Sequence, residues 1–223
     1  MSLDALLLDL DGTLTDPRSG ILRCIRHALE GMQRPCPGDE ALVTYIGPPL
    51  RATFATLLAT RETALVERAV MLYRERFAEI GLFENEVYAG IPAALAELGC
   101  AHRRLFVATA KAAVFATRIV RHFGLAGHFA GVYGPALDGR LDDKAELIAH
   151  VLVREGLARE RVMMVGDRAN DMTAARANGV RAIGVLWGYG SREELLAAGA
   201  DTLCETPERL PAVVTDLLGG PAS

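Results

Sequence analysis

The stretch that most constrains this chain is ALLLDLDGTLTD, residues 5–16. It opens on four apolar residues, Ala5, Leu6, Leu7 and Leu8, the pattern of a strand buried on both faces. Asp9 and Asp11 follow, two residues apart, and then Gly12. In a plain strand, residues i and i+2 point to the same side. A buried strand that ends in two like charges needs a neighbour that attracts negative charge. A divalent cation is one such neighbour, and an electrophile awaiting a carboxylate nucleophile is another. Gly12 lets the chain turn sharply just beyond the two carboxylates. On its own the stretch reads more simply as a strand running into an acidic Asp-Gly turn at the surface. What recurs downstream decides between the two.

The next segment has a single texture. Pro17 suits the first turn of a helix, and Ile21, Leu22, Ile25, Leu29 and Met32 repeat at helical spacing. The run Arg34-Pro35-Cys36-Pro37-Gly38 breaks it, and residues 39–44 form a short helix candidate. A stiff loop, Tyr45-Ile46-Gly47-Pro48-Pro49-Leu50-Arg51, leads into a helix through Leu58. Residues 62–80 are the longest periodic segment, with Val66, Val70, Tyr73, Phe77 and Ile80 on one face. Residues 17–86 therefore read as an inserted all-helical unit.

From Val87 the pattern alternates. Strands are expected at residues 105–108, 132–133, 162–165 and 182–185, and helices at 92–98, 112–123, 143–154, 170–177, 191–198 and 207–218. Residues 219–223 look like a frayed tail. Such alternation predicts a parallel sheet covered by helices on both faces. Sheets of this kind bind ligands outside the carboxyl ends of their strands, so polar residues just past strand ends are the candidates.

Three such places stand out. Thr109 ends a strand beside the N–H groups of Ala110 and Lys111, which suits a phosphate oxygen. Alone, Thr109 reads more readily as a helix N-cap. Lys144 opens a helix, where its ammonium opposes the positive end of the helix dipole and favours a nearby anion. It also reads as a solvated lysine. Gly166-Asp167-Arg168-Ala169-Asn170-Asp171 follows an apolar strand, and Asp167 and Asp171, four apart, suit one face of the opening helical turn.

Together these stretches resemble the haloacid dehalogenase-like hydrolases. The first motif of that superfamily, Asp-x-Asp-Gly-Thr-(Leu/Val)-x-Asp, is matched at Asp9, Asp11, Gly12, Thr13, Leu14 and Asp16. Its second motif, a Ser or Thr ending a strand, is matched at Thr109. Many members have Asn where Ala110 stands, so only the Ala110 N–H carries over. The third-motif lysine is matched at Lys144, and the fourth motif, Gly-Asp-x-x-x-Asp, at Gly166, Asp167 and Asp171.

The resemblance implies an α/β fold: a Rossmann-like parallel sheet core over residues 1–16 and 87–223, with a helical cap over residues 17–86. It implies a magnesium cofactor, held by Asp9, the backbone carbonyl of Asp11 and Asp167, with Asp171 a further ligand or its support. Asp9 is then the nucleophile and Asp11 the general acid, then base. Thr109, Ala110 and Lys144 bind phosphate. Asp11 separates phosphatases and phosphomutases, which have an acid there, from dehalogenases and phosphonatases, which do not. The helical insertion is similar to the cap of phosphoglycolate phosphatase-like members. The loop Ile46-Gly47-Pro48-Pro49-Leu50 and the stretch Leu137-Asp138-Gly139-Arg140 look more like a branch of 5′-nucleotidases. Gly47 and Arg51 are the cap residues expected near substrate, although Arg51 reads equally as a solvated arginine opening a helix. The expected activity is hydrolysis of a small phosphate monoester, phosphoglycolate or a nucleoside 5′-monophosphate. The alternatives are a sugar-phosphate mutase, for which the insertion offers only His27, and a non-catalytic binding protein.

Bulk properties agree. The 223 residues are 51% hydrophobic and 23% charged, enough apolar surface for a real core. A net charge of −4 points away from nucleic acid or an anionic membrane as partner, and no apolar run approaches a membrane span. The expected partner is a small phosphorylated metabolite. The N-terminus lacks a basic region, and cleavage of a leader there would remove or strand Asp9, which argues against export. Cys24, Cys36, Cys100 and Cys204 lie far apart, with no Cys-x-x-Cys, which fits reduced thiols in the cytoplasm.

Overall fold

The computed structural model of the chain describes residues 3–100 and 103–219. At its centre, β1 (Ala5–Leu8) is completely buried, as its apolar run requires. It lies between β4 (Arg104–Ala108) and β6 (Val162–Gly166), parallel to both. β5 (Gly131–Tyr133) extends the sheet beyond β4; β7 (Arg181–Val185) and β8 (Thr202–Cys204) extend it beyond β6. All six strands are parallel, in the order β5-β4-β1-β6-β7-β8. Leu8 is opposite Val107 on one side and Val165 on the other. The first residue past β1 therefore emerges level with the ends of both neighbouring strands.

The alternation of side chains along β1 divides the core in two. Leu6 and Leu8 join Leu95 and Leu98 of α5 (Ile91–Cys100), Ile119 of α6 (Ala113–His122), and Leu210 and Val214 of α10 (Leu210–Gly219). Ala5 and Leu7 face the other side. There they join Ile148 and Val151 of α7 (Lys144–Glu155), Met172 and Ala175 of α8 (Ala169–Ala177), and Leu195 of α9 (Arg192–Ala198). The sheet is thus covered on both faces, as expected.

Two very short strands, β2 (Thr15–Asp16) and β3 (Glu86–Val87), pair antiparallel as a separate ribbon, with Asp16 opposite Glu86. Every residue between them lies in helices, turns or loops. α1 (Arg18–Gly31) buries Ile21, Leu22, Ile25 and Leu29, and α4 (Thr63–Glu79) buries Val66, Val70, Tyr73 and Phe77. α2 (Asp39–Val43) and α3 (Leu50–Leu57) complete the insertion. One expected contact differs. Ile80 does not continue the buried face of α4: its φ of −126° ends the helix, and its side chain is half exposed. β2, β3 and β8 carry two or three residues each, too few for a periodic signal. Gly219 closes α10, and the rest of the expected tail lies outside the described residues. No helix among the described residues is long and apolar enough to cross a membrane.

Candidate active site

Beyond β1 the chain leaves the sheet in a tight coil. The amides of Leu14 and Thr15 both donate to the carbonyl of Leu10, at 2.9 and 3.0 Å. The coil sends the two aspartates in different directions. Asp9, whose own amide still bonds the Val165 carbonyl at 2.9 Å, joins Asp167 and Asp171. The three offer carboxylate oxygens within 4.8 Å of one another, and all three are buried. Asp11 stands outside this cluster. Its Oδ2 is 2.7 Å from Lys111 Nζ, and its Oδ1 is buried without a hydrogen bond.

Neighbouring elements hold the carboxylates in place. Asp167, just past β6, accepts from the Tyr189 amide at 2.8 Å and from Thr13 Oγ1 at 3.4 Å. Asp171, in the first turn of α8, accepts from the Arg168 amide at 3.1 Å. Gly12 has a φ of +82°, and a Cβ there would stand 2.1 Å from Asp167 Oδ2, so only glycine fits. A Cβ on Gly166 would likewise meet the Asp171 carboxylate at 2.3 Å.

Lys144 supplies the cation expected at the start of its helix. Asp143 caps α7 by accepting from the amides of Ala145 and Glu146, at 2.7 and 3.1 Å. Lys144 is buried, its Nζ 3.0 Å from Asp9 Oδ1 and paired also with Asp171 Oδ1. Burial opposes its charge, but Asp171 and Asp9 together overcome that and raise its pKa above the usual lysine value. The carboxylates show the opposite strain. Burial, reinforced by Asp171 and Asp9, pushes Asp167 well above the ordinary range. Burial also lifts Asp171 to about 6, against the pull of Lys144. Asp11 is raised by burial too, with Lys111 offsetting part of the shift. Three carboxylates against one ammonium leave an excess of two negative charges when all are ionised. Buried excess charge is costly unless something neutralises it. The all-oxygen donor set fits a hard divalent cation.

A cleft opens from Asp9 and Asp11 toward the helical insertion. Thr109, buried at the end of β4, and Ala110 line it from the sheet. Thr109 Oγ1 accepts from the Lys111 amide at 3.2 Å, so the hydroxyl also shapes the turn into α6. The insertion adds Tyr45, Gly47, Arg51, Thr53, Tyr73 and Phe77. Gly47 has a φ of +106°, and its loop is held by Arg168, which donates to the Ile46 carbonyl at 2.5 Å. Every site residue expected from the sequence lies in the carboxylate cluster, beside it, or along this cleft. Lys111 and Arg168 lie beside or within the motif stretches, but their side-chain partners, Asp11 and the Ile46 carbonyl, are distant in sequence, as is Asp167 for the Tyr189 amide, so no local pattern marks their roles.

The sequence model of the haloacid dehalogenase-like hydrolases matches residues 6–185. The chain belongs to that family. It is 47% identical over 192 residues to a 5′-nucleotidase of Pseudomonas aeruginosa, covering 86% of each chain. It is 40% identical over 184 residues to the tyrosine-protein kinase PtkA of Mycobacterium tuberculosis, covering 82% of this chain and 62% of that longer one. A phosphoglycolate phosphatase of Cupriavidus necator is more distant, 27% identical over 222 residues, covering 98% of this chain and 96% of the relative. Among solved structures, that of a predicted phosphatase from Clostridium acetobutylicum superposes with a TM-score of 0.93 at 34% identity. It covers 97% of this chain and all of the other. With the family assigned and relatives named 5′-nucleotidase and phosphoglycolate phosphatase, this hydrolase is a phosphoric monoester hydrolase.

Proposed function

We propose that the chain is a magnesium-dependent phosphatase that hydrolyses a small phosphate monoester through an aspartyl-phosphate on Asp9. The observation that carries this reading is the separation of the two aspartates. Asp9 faces the buried carboxylates and Lys144, while Asp11 stands apart on Lys111, both at the inner end of the cleft. Asp9, Asp167, Asp171 and the Asp11 carbonyl would hold the magnesium. When bound, it would draw negative charge from the phosphoryl oxygens.

The chain's own groups do the rest. Lys144, the Thr109 hydroxyl and the Ala110 N–H hold the phosphoryl oxygens. An Asp9 oxygen attacks phosphorus while Asp11 gives its proton to the departing ester oxygen. Asp11 then takes a proton from water, whose oxygen attacks the phosphorus and frees Asp9 and inorganic phosphate. Residues 17–86 act as a cap that closes over the cleft and excludes bulk water.

The cleft favours a nucleoside 5′-monophosphate over phosphoglycolate. Tyr45, Tyr73, Phe77 and Phe115 give it aromatic walls, suited to a flat leaving group. Thr53 Oγ1 is buried there without a hydrogen bond, a polar group that a ribose or base would satisfy. Phosphoglycolate would need a cation for its carboxylate; Arg51 and Lys111 already face carboxylates, and Arg74, which also lines the cleft, donates to the Leu137 carbonyl. The relative named 5′-nucleotidase is also the nearer match. A mutase reading finds less support: His27 is exposed on α1, and the insertion adds no His, Asp or Glu to the cleft.

The test is release of inorganic phosphate from a panel of nucleoside monophosphates, phosphoglycolate and sugar phosphates, with magnesium and with EDTA. Magnesium-dependent turnover led by a nucleoside monophosphate is expected. Interconversion of sugar phosphates without release, or no turnover of any ester, would contradict the reading.

A further inference from the structure

Lys111 is more deeply buried than the carboxylate it serves, with 6% of its side chain exposed against 10% for Asp11. Its ammonium has two neighbours from different parts of the fold. On the sheet side is Asp11 Oδ2, at 2.7 Å. On the insertion side is Phe77 of α4, whose ring centroid is 4.5 Å away. Phe77 is itself buried, stacked on Tyr73 with centroids 5.3 Å apart and edge-on to Phe115 of α6 at 5.4 Å. A cation held between a carboxylate and an aromatic face is fixed more firmly than either contact alone would fix it. Through Phe77 the insertion covers one side of the buried ammonium.

We propose that Lys111 is a positioning residue that aims the Asp11 carboxylate, and that Phe77 makes this aim depend on closure of the helical insertion. The inference rests on the reading of Asp11 as the group that moves the proton. With the insertion closed, Phe77 confines the ammonium, and the ammonium holds Oδ2, leaving the unbonded Oδ1 for the proton. When the insertion lifts, Phe77 leaves, Lys111 meets water and Asp11 is no longer aimed. The aspartyl-phosphate would thus be hydrolysed promptly only in the closed protein.

The experiment is a double-mutant cycle in single-turnover kinetics on the full chain, with Lys111→Met, Asp11→Asn and their combination. Positioning of an acid–base group predicts that Lys111→Met slows turnover of a poor-leaving-group ester by about 10- to 100-fold, within the range for such catalysis. Phosphorylation of Asp9 by nitrophenyl phosphate should change far less, because nitrophenolate departs without a proton. In the Asp11→Asn background, Lys111→Met should add less than about twofold, since residues that act as a unit are strongly non-additive. Lys111→Arg should restore most of the rate. Phe77→Leu should show the same pattern more weakly. Should the methionine variant not fold, the cycle run with Phe77→Leu decides in its place. Full additivity with Asp11→Asn, or equal slowing of phosphorylation by both esters, would overturn the role given to Lys111. An Asp11→Asn protein that turns over the poor leaving group at the wild-type rate would instead overturn the reading of Asp11, and this inference with it.

Discussion

Arg51 on α3 donates from one guanidinium nitrogen to Asp142 Oδ2 at 2.7 Å, joining the helical insertion to the loop that leads into Lys144. The same side chain bonds both carboxylate oxygens of Glu67 on α4, at 2.5 and 3.2 Å. Arg51 and Arg74 share the Leu137 carbonyl, at 3.2 and 2.9 Å. On the other side of the cleft, Arg168 holds the Ile46 carbonyl. Arginines thus fasten the insertion over the site from both sides. Arg51 lines the cleft as expected, but its charge is committed to Glu67 and Asp142.

Arg51→Ala should therefore loosen the closed form. Partly exposed ion pairs contribute about 1 kcal/mol or less, so the expected effect is a rise in KM of about fivefold or less for a nucleoside monophosphate. Nitrophenyl phosphate, which gains little from the insertion, should be affected less. Steady-state kinetics on both substrates checks this. An equal loss on the two would mean that Arg51 has no selective role.

Gly12→Ala should damage both fold and site. The left-handed φ costs about 1–3 kcal/mol for a residue with a Cβ. The added methyl would also overlap the Asp167 carboxylate. A lower melting temperature should accompany weaker magnesium binding, measured by calorimetry. A drop in stability with magnesium affinity unchanged would show that the glycine serves the turn alone.

The carboxylate shifts carry a prediction for pH. Asp167 and Asp171 titrate above their unfolded values, Asp171 at about 6. The folded protein then binds these protons more tightly than the unfolded chain. Stability of the metal-free protein falls as pH rises through about 6, where Asp171 ionises. A bound cation relieves that repulsion. The gain in melting temperature on adding magnesium should be larger at pH 7.5 than at pH 5. A gain independent of pH would mean that the cation does not act through these carboxylates.

Much of this was legible in the sequence, for identifiable reasons. The apolar run before Asp9 and the alternation after Val87 fixed which residues end parallel strands, and strand ends are where the carboxylates meet. Helical spacing along α1 and α4 likewise foretold the buried faces of the insertion. The ribbon of β2 and β3 was not legible, because two-residue strands carry no period. Nor was the Lys111–Phe77 contact, which depends on how the insertion folds back over the sheet. Asp9 and Asp11 look alike as a sequence pair. The resemblance implies different roles for them, and the coil around the Leu10 carbonyl sends Asp9 into the cluster and Asp11 onto Lys111, with both lining the cleft.

In the proposed mechanism Asp9 is the nucleophile that accepts the phosphoryl group, and Asp11 moves the proton. The most direct test is intact-mass spectrometry of the Asp9→Asn and Asp11→Asn proteins, quenched in acid after mixing with magnesium and a good-leaving-group ester. The Asp11→Asn protein should carry one phosphate, because its aspartyl-phosphate forms but is hydrolysed about 10²–10⁴-fold more slowly. The Asp9→Asn protein should carry none. A phosphate adduct on Asp9→Asn would contradict the account.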